Sequence, residues 1–398
     1  MQNLGQCVRI GLYFVVTAFV VAFSLTGAQA APYAAMVIDA RTGEVLHSRN
    51  ADTRLHPASL TKMMTLYIAF EAVENGEISL DTMVRISRNA ASEPPSKLGL
   101  KSGQRIALRY LIRAAAVKSA NDAATAIGEA IEGSEAAFAR RMNRTAQALG
   151  MSRTTFKNAN GLTEEGHLST ARDMTTLGRH LFYDYPDYYN LFSRRTTDAG
   201  MREVANTNRR LLNAYRGADG IKTGYTRAAG FNLVASATRG GHTLIAVVLG
   251  EMSSKGRAER AADLLEEGFA SLETETFRPV LASMSPPEDH ATEVTNVRAT
   301  VCSQEANDAR WANRSLDHFA TEALQPLARA LVPVPIFKGG AEGISKSAVL
   351  FAGQYFDELP VPAVRPVPLT DEVAELREQA GLAEGTIPIP QSRPDEGA

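Results

Sequence analysis

The sequence has almost no cysteine. Its 398 residues contain two, Cys7 and Cys302, which excludes a disulfide framework and a thiolate metal cluster. It has no excess of charge: 44 acidic side chains stand against 42 basic ones, so no long-range field draws it to nucleic acid or an anionic membrane surface. It has no Gly-x-Ser-x-Gly elbow, no Gly-x-x-x-x-Gly-Lys phosphate loop and no His-Glu-x-x-His. Its 7 histidines do not fall at ligand spacing. No internal repeat occurs. What is present is a chain of ordinary composition, 44% hydrophobic and 22% charged, which excludes wholesale disorder and is long enough for a sizeable core.

The first thirty residues read as a targeting segment. Arg9 is the only charged side chain before Asp39, an apolar run follows from Ile10 to Leu25, and Ala28-Gln29-Ala30 is a small-x-small cleavage signature. The run is short for a membrane span, so a signal cleaved after Ala30 is expected, with export to the periplasm or cell envelope. Cleavage would remove Cys7 and leave Cys302 alone.

In the mature chain, residues 33–50 read as a hairpin turning at Arg41-Thr42-Gly43. Helices are expected from Pro57 to Glu74, Leu108 to Val117, Asn121 to Ile131, Glu135 to Leu149, and over residues 170–183. Strands follow at Gly220–Thr223, Phe231–Thr238 and Thr243–Leu249, then a helix over 256–274. Strands, many helices, then strands and a helix imply an α+β fold: an antiparallel sheet built from both ends of the chain and flanked by helices. The composition shifts after residue 278, with 13 of the 18 prolines at Pro279 or later. The expected division is 1–30 signal, 31–278 catalytic domain and 279–398 a Pro-rich, partly helical, partly disordered extension. Residues 303–331 hold a helix or two, and 371–380 a short acidic helix without the basic, aromatic character of a membrane anchor.

Three short motifs carry chemistry. In Ser59-Leu60-Thr61-Lys62 the lysine lies one helical turn beyond the serine, on the same face. A serine hydroxyl needs a base, and a lysine serves if burial lowers its pKa. Taken alone, the pair also reads as an N-cap serine with a solvent lysine. Ser119-Ala120-Asn121 falls at a break between two helices, where both side chains face a cleft or simply cap a helix. Lys222-Thr223-Gly224, continued by Tyr225 and Thr226, begins a strand: a lysine and hydroxyls there form a cationic rail for a carboxylate, and Gly224 leaves room for a ligand backbone. Alone, it is a surface lysine before a turn.

In this order the three motifs resemble the signature of the penicillin-recognising serine acyl-transferases. The flanks Pro57–Met64, Val117–Ala124, Asp219–Thr226, His167–Met174 and Gly230–Val234 are similar to those of the low-molecular-mass D-alanyl-D-alanine carboxypeptidases, over about residues 33–275. The resemblance implies the penicillin-binding/β-lactamase-like fold and a site that needs no metal or cofactor. It implies that Ser59 attacks the carbonyl between two D-alanines of a peptidoglycan stem peptide while Lys62 takes its proton. The Ser59 and Tyr225 N–H groups would hold the oxyanion, Ser119 and Lys222 relay a proton to the leaving D-alanine, and Asn121 hold the substrate amide. β-Lactams would trap Ser59. Thr223, Thr226 and Arg257 would read the terminal carboxylate, Arg257 otherwise being a solvated helix-start arginine. A D,D-endopeptidase uses the same motifs and stands as an alternative. So do a β-lactamase, although Ser119-Ala120-Asn121 replaces the Ser-Asp-Asn of class A and only Glu164 and Glu165 are at hand for deacylation, and a non-catalytic wall-binding protein.

Overall fold

A computed structural model describes residues 33–274, 277–284, 295–312, 319–325 and 327. The leader, the alternating prolines of 360–368 and the acidic helix read at 371–380 lie outside the described residues.

Strands β1 (Ala34–Asp39) and β2 (Val45–Arg49) form the hairpin; Asp39 Oδ1 closes its turn by accepting from the N–H groups of Arg41 (2.7 Å) and Thr42 (3.0 Å). A 3-10 turn, Ala58–Leu60, leads into α1 (Thr61–Glu74). Then come β3 (Met83–Arg85), α2 (Arg88–Ser92), β4 (Arg105–Ala107) and α3 (Leu108–Arg113), which widens into a π turn at Ala114–Lys118. Helices α4 (Asn121–Glu132), α5 (Glu135–Ala148), α6 (Ala171–Asp184) and α7 (Pro186–Tyr189) follow. A small ribbon, β5 (Thr196–Asp198) and β6 (Glu203–Ala205), and α8 (Arg209–Ala214) precede the long strands β7 (Ala218–Thr226), β8 (Gly230–Arg239) and β9 (His242–Glu251) and helix α9 (Ser254–Ser271). The last described helices are α10 (Arg298–Val301) and α11 (Gln304–Ala312). The hydroxyls of Ser134, Thr170 and Ser253 cap α5, α6 and α9 by accepting backbone N–H bonds in the first turn.

The main sheet has the order β2-β1-β9-β8-β7, antiparallel throughout, and Val37 of the first strand pairs with Ala246 of the last. It is the expected sheet closed from both chain ends and flanked by helices. One face buries Val37, Leu233, Ala235, Leu244 and Val248 against Ala258, Ala261 and Leu265 of α9. On the other, α6 lies against Val234 and Ile245 at Gly178. Burial on both faces makes β9 read as a nearly unbroken apolar run, while β8 is interrupted by the buried Asn232 and Ser236. Helix α1 is apolar almost all round, with Met63, Met64, Leu66, Ile68 and Phe70 buried, as suits a helix at the centre of the helical half.

Packing continues past residue 278, where composition alone placed the domain boundary. Val45 N–H donates to the Pro279 carbonyl (2.9 Å) and Leu281 N–H to that of Gly43 (2.8 Å). Val297 and Val301 are buried, and Leu324 joins the core cluster of Leu211, Tyr215 and Leu265. Gln325 and Leu327 donate to the Ala214 and Asn213 carbonyls at the end of α8.

Candidate active site

Ser59 sits in the middle of the 3-10 turn, part-exposed, ahead of α1. The cap positions of turn and helix are Pro57 and Leu60, with no side-chain cap bond, so the Ser59 hydroxyl is not a helix cap. Ala58 beside it has φ +50°, in the left-handed region that costs an L-residue about 1–2 kcal/mol. The surroundings enforce it. Asn232 Nδ2 donates to the carbonyls of His56 (3.0 Å) and Pro57 (3.2 Å), and Thr61 Oγ1 pairs with His167 Nε2 (2.9 Å). Gly161, at φ +86°, lies so close beneath the Ala58 carbonyl that any Cβ would overlap it.

Lys62 is wholly buried, and its Nζ donates to Ser59 Oγ (3.0 Å), Asn121 Oδ1 (2.7 Å) and the Asn160 carbonyl (2.5 Å). Burial pushes its pKa down to about 7, against the partial pull of Glu93 and Asp122 upward. A lysine near neutrality, within hydrogen-bond reach of a hydroxyl, has the geometry and basicity of a general base.

The second motif is set by the π turn. It ends at Ser119 with φ +62°, which turns the chain sharply into α4. The N-cap position of α4 is Ala120, without a side-chain bond, so neither the Ser119 nor the Asn121 side chain caps α4. Both are buried. Asn121 Nδ2 donates to the Pro94 carbonyl (2.8 Å), which turns Oδ1 toward Lys62. Asp122 holds the loop alongside, accepting from the N–H groups of Leu98, Gly99 and Leu100.

The third motif lies on β7, the edge strand of the sheet. Lys222 is buried and donates to the Thr223 carbonyl (3.0 Å). Burial, then the charges of Lys62 and Arg257, hold its pKa well below the ordinary lysine value. Thr223 Oγ1 donates to Thr207 Oγ1 (2.7 Å), and Thr163 Oγ1 to Thr226 Oγ1 (3.0 Å). The Tyr225 ring is half-exposed and lies 4.3 Å from that of Phe231. Gly224 has a different neighbour from the expected ligand backbone: a Cβ there would stand 3.0 Å from the Pro57 oxygen and 3.1 Å from the Ser59 nitrogen. The missing side chain lets β7 lie directly against the serine turn.

Arg257 is buried at the start of α9, not solvated. Its Nη1 donates to the carbonyls of Gly224 (3.1 Å) and Asn232 (3.3 Å), and its guanidinium lies 5.8 Å from the Phe231 ring centre. Burial, then Arg210, lowers its pKa to about 10, so it stays charged at neutral pH. Glu164 and Glu165 are exposed, and Glu164 accepts from Asn158 Nδ2 (3.2 Å). The structure adds two residues absent from the sequence reading. Asn160 offers Lys62 its main-chain carbonyl, and Glu93, buried behind it, accepts from Asn160 Nδ2 (2.9 Å). A carbonyl leaves no mark in the residue type, and Glu93 follows no motif.

A serine turn, a buried lysine bonded to it, a Ser-x-Asn turn and a Lys-Thr-Gly edge strand on this helix-flanked sheet define the class of the penicillin-binding serine peptidases. Within it, the chain belongs to the D-alanyl-D-alanine carboxypeptidase family, whose profile matches residues 22–253. It is 40% identical to the D-alanyl-D-alanine carboxypeptidase DacF of Bacillus subtilis, over 60% of this chain and 62% of that one. It is also 40% identical to DacA of Escherichia coli, over 60% of this chain and 61% of that one. The chain thus spans less than two thirds of the length of these curated relatives. Among solved structures, penicillin binding protein 5 of Haemophilus influenzae matches with TM-score 0.57 and 36% identity over 62% of this chain and 73% of that one. Penicillin-binding protein D2 of Listeria monocytogenes, in a cefotaxime-bound form, matches with TM-score 0.55 and 34% identity over 61% of this chain and 99% of that one.

Proposed function

We propose that this chain is a serine D-Ala-D-Ala carboxypeptidase of the cell envelope, which removes the terminal D-alanine from peptidoglycan stem pentapeptides through a Ser59 acyl-enzyme and is trapped by penicillin. The observation that carries this is the 3.0 Å contact from Lys62 Nζ to Ser59 Oγ, with the lysine buried and its pKa near 7. Neutral Lys62 takes the hydroxyl proton as Ser59 Oγ bonds to the carbonyl carbon between the two D-alanines. The N–H groups of Ser59 and Tyr225 face the developing oxyanion, as the close approach of β7 to the serine turn supports. The tetrahedral intermediate collapses by breaking the C–N bond. Ser119 and Lys222 pass a proton to the departing amine, and water then hydrolyses the ester. The substrate lies along the free edge of β7, where Thr223, Thr226 and Arg257 line the place of its carboxylate.

Glu164 and Glu165, the glutamates a β-lactamase reading would need for deacylation, are exposed. The test is release of free D-alanine from a stem pentapeptide, set against cleavage of a cross-linked dimer, in wild type and Ser59→Ala. Release that vanishes with Ser59→Ala is the expected result; cleavage of the dimer alone makes the enzyme an endopeptidase.

A further inference from the structure

Of the three partners of Lys62 Nζ, two are held by one short segment. Glu93 and Pro94 follow α2, and the Pro94 carbonyl accepts from Asn121 Nδ2 (2.8 Å), which fixes the amide with Oδ1 toward the lysine. Glu93 Oε1 accepts from Thr125 Oγ1 (2.8 Å) and Asn160 Nδ2 (2.9 Å), which fixes the residue whose carbonyl meets the lysine on its other side. Asn160 is further tied by Nδ2 to Thr125 Oγ1 (3.0 Å) and by Oδ1 to the Leu162 N–H (2.9 Å). The Glu93 carboxyl is thus buried one residue removed from a buried lysine that it does not touch; burial raises its pKa above the ordinary glutamate value, while the Thr125 hydrogen bond and the Lys62 charge oppose that rise.

We propose that Glu93 is a positioning residue for the lysine base: it holds the amides that orient Lys62, and its carboxylate sets how readily Lys62 takes a proton. The inference rests on reading Lys62 as the proton acceptor from Ser59.

The charges around the pair support it. Lys62 faces Glu93 from the end of α2 and Asp122 from α4, and both raise its proton affinity against the effect of burial. Glu93 in turn faces Glu135 of α5, Lys62 of α1 and Asp122 of α4. On the far side Lys222 of β7 is depressed by burial and then by Lys62 and Arg257, and His167, lowered by burial to about 3, is neutral. Burial, opposed by Glu93 and Asp122, leaves Lys62 at about 7. A base is most effective when its pKa lies near the working pH.

Two variants separate charge from shape. Glu93→Gln keeps an acceptor for Thr125 and Asn160 but removes the charge; Glu93→Asp keeps the charge but shortens the reach. The first readout is the pH profile of acylation by a fluorescent penicillin, in full-length protein whose fold is checked by thermal melting. Without the anion Lys62 becomes a weaker base, so the Gln profile should move about 0.5–1 pH unit toward lower pH. The Asp variant should keep the wild-type midpoint while its rate falls ~10-fold or more through displaced amides. A second readout does not depend on activity: the Lys62 ¹³Cε titration in ¹³C-lysine protein, assigned by the signal lost in Lys62→Arg. The same downward shift is expected in Glu93→Gln alone. If the wild type does not label, the proposed function fails and this titration still decides the role of Glu93. A Gln midpoint equal to wild type, or an Asp midpoint displaced as far as that of Gln, overturns the proposal.

Discussion

Lys62 and Lys222 lie on different elements, α1 and β7, yet both are wholly buried, and the Lys222 pKa is held down first by that burial and then by the charge of Lys62. Of the two, Lys62 contacts the serine hydroxyl and has the pKa near 7. Acylation needs neutral Lys62, so the rate of penicillin labelling should fall about tenfold per unit as pH drops below 7. Lys62→Arg, which stays charged, should not label at any accessible pH. Stability carries the same signature. The folded pKa of about 7 lies below the ordinary 10.5, so between these values the unfolded chain binds the extra proton and stability rises with pH. Below pH 7 the full penalty of a buried ammonium applies. Melting temperatures from pH 7 to 10 should therefore climb more steeply in wild type than in Lys62→Met, and equal slopes would contradict the assignment.

The serine turn occupies the space into which a side chain at position 224 would project. In Gly224→Ala the new Cβ would meet the Pro57 oxygen at 3.0 Å and the Ser59 nitrogen at 3.1 Å, closer than ordinary contacts. Either the turn or β7 must move by a few tenths of an ångström. The Ser59 and Tyr225 N–H groups proposed to hold the oxyanion lie on opposite sides of that gap. The expected result is acylation slowed ~10–100-fold with a small loss of melting temperature. An unchanged rate would mean that the turn and strand do not form the oxyanion site together.

The motif residues were legible in the sequence because the chemistry restricts which side chains fill them. A serine, its lysine, the Ser-x-Asn turn and the Lys-Thr-Gly strand carry their functions in side-chain atoms at fixed spacing. The sheet was legible because β9 is a long apolar run and β8 a largely apolar one, with a glycine turn between them. Other features left no local mark. The helix read from Leu108 to Val117 ends at Arg113 and passes into a π turn, because Ser119 must reach a left-handed φ that periodicity does not reveal. Asn160 acts through a carbonyl that every residue has. Glu93 meets the site through Thr125 and Asn160, residues distant in sequence. Leu324 docks with Phe319 and Ala323 packed beside it, an apolar group too short to distinguish core from a surface helix in the sequence.

That docking bears on where the catalytic unit ends. Val297 N–H donates to the Ala228 carbonyl (3.1 Å), and its side chain faces Gly230, so this segment covers the β7–β8 turn just beyond Thr226. Leu324 and the bonds of Gln325 and Leu327 brace α8, which follows Thr207, the partner of Thr223. A chain of residues 31–280 loses the buried side chains of Leu281, Val297, Val301 and Leu324, each worth about 1.5–3 kcal/mol. It should melt at clearly lower temperature than residues 31–330 and label more slowly with penicillin. Equal melting and labelling of the two chains would return the boundary to residue 278.

Arg257 combines two tasks that one experiment separates. Its Nη1 bonds the Gly224 and Asn232 carbonyls, which ties α9 to the two strands at the level of the serine. The guanidinium remains charged, with its pKa near 10, beside the strand that carries Thr223 and Thr226. Arg257→Ala leaves two buried carbonyls without that donor, at a cost of roughly 1–3 kcal/mol each, and so lowers the melting temperature whatever the substrate. If the rest of the planar fork reads the substrate carboxylate, the variant should also cleave a free-acid peptide ~10–100-fold more slowly through the lost charge-assisted contact. A peptide amidated at its C-terminus has no carboxylate to read. It should be a poor substrate for the wild type and be cleaved at nearly the same rate by Arg257→Ala. Arg257→Lys keeps the charge but lacks the fork, and should fall between the two on the free acid. The comparison is made as kcat/KM for both peptides at a temperature where each variant is fully folded. Equal losses on free-acid and amidated peptides would leave Arg257 a brace between α9 and the sheet, with no part in recognising the substrate.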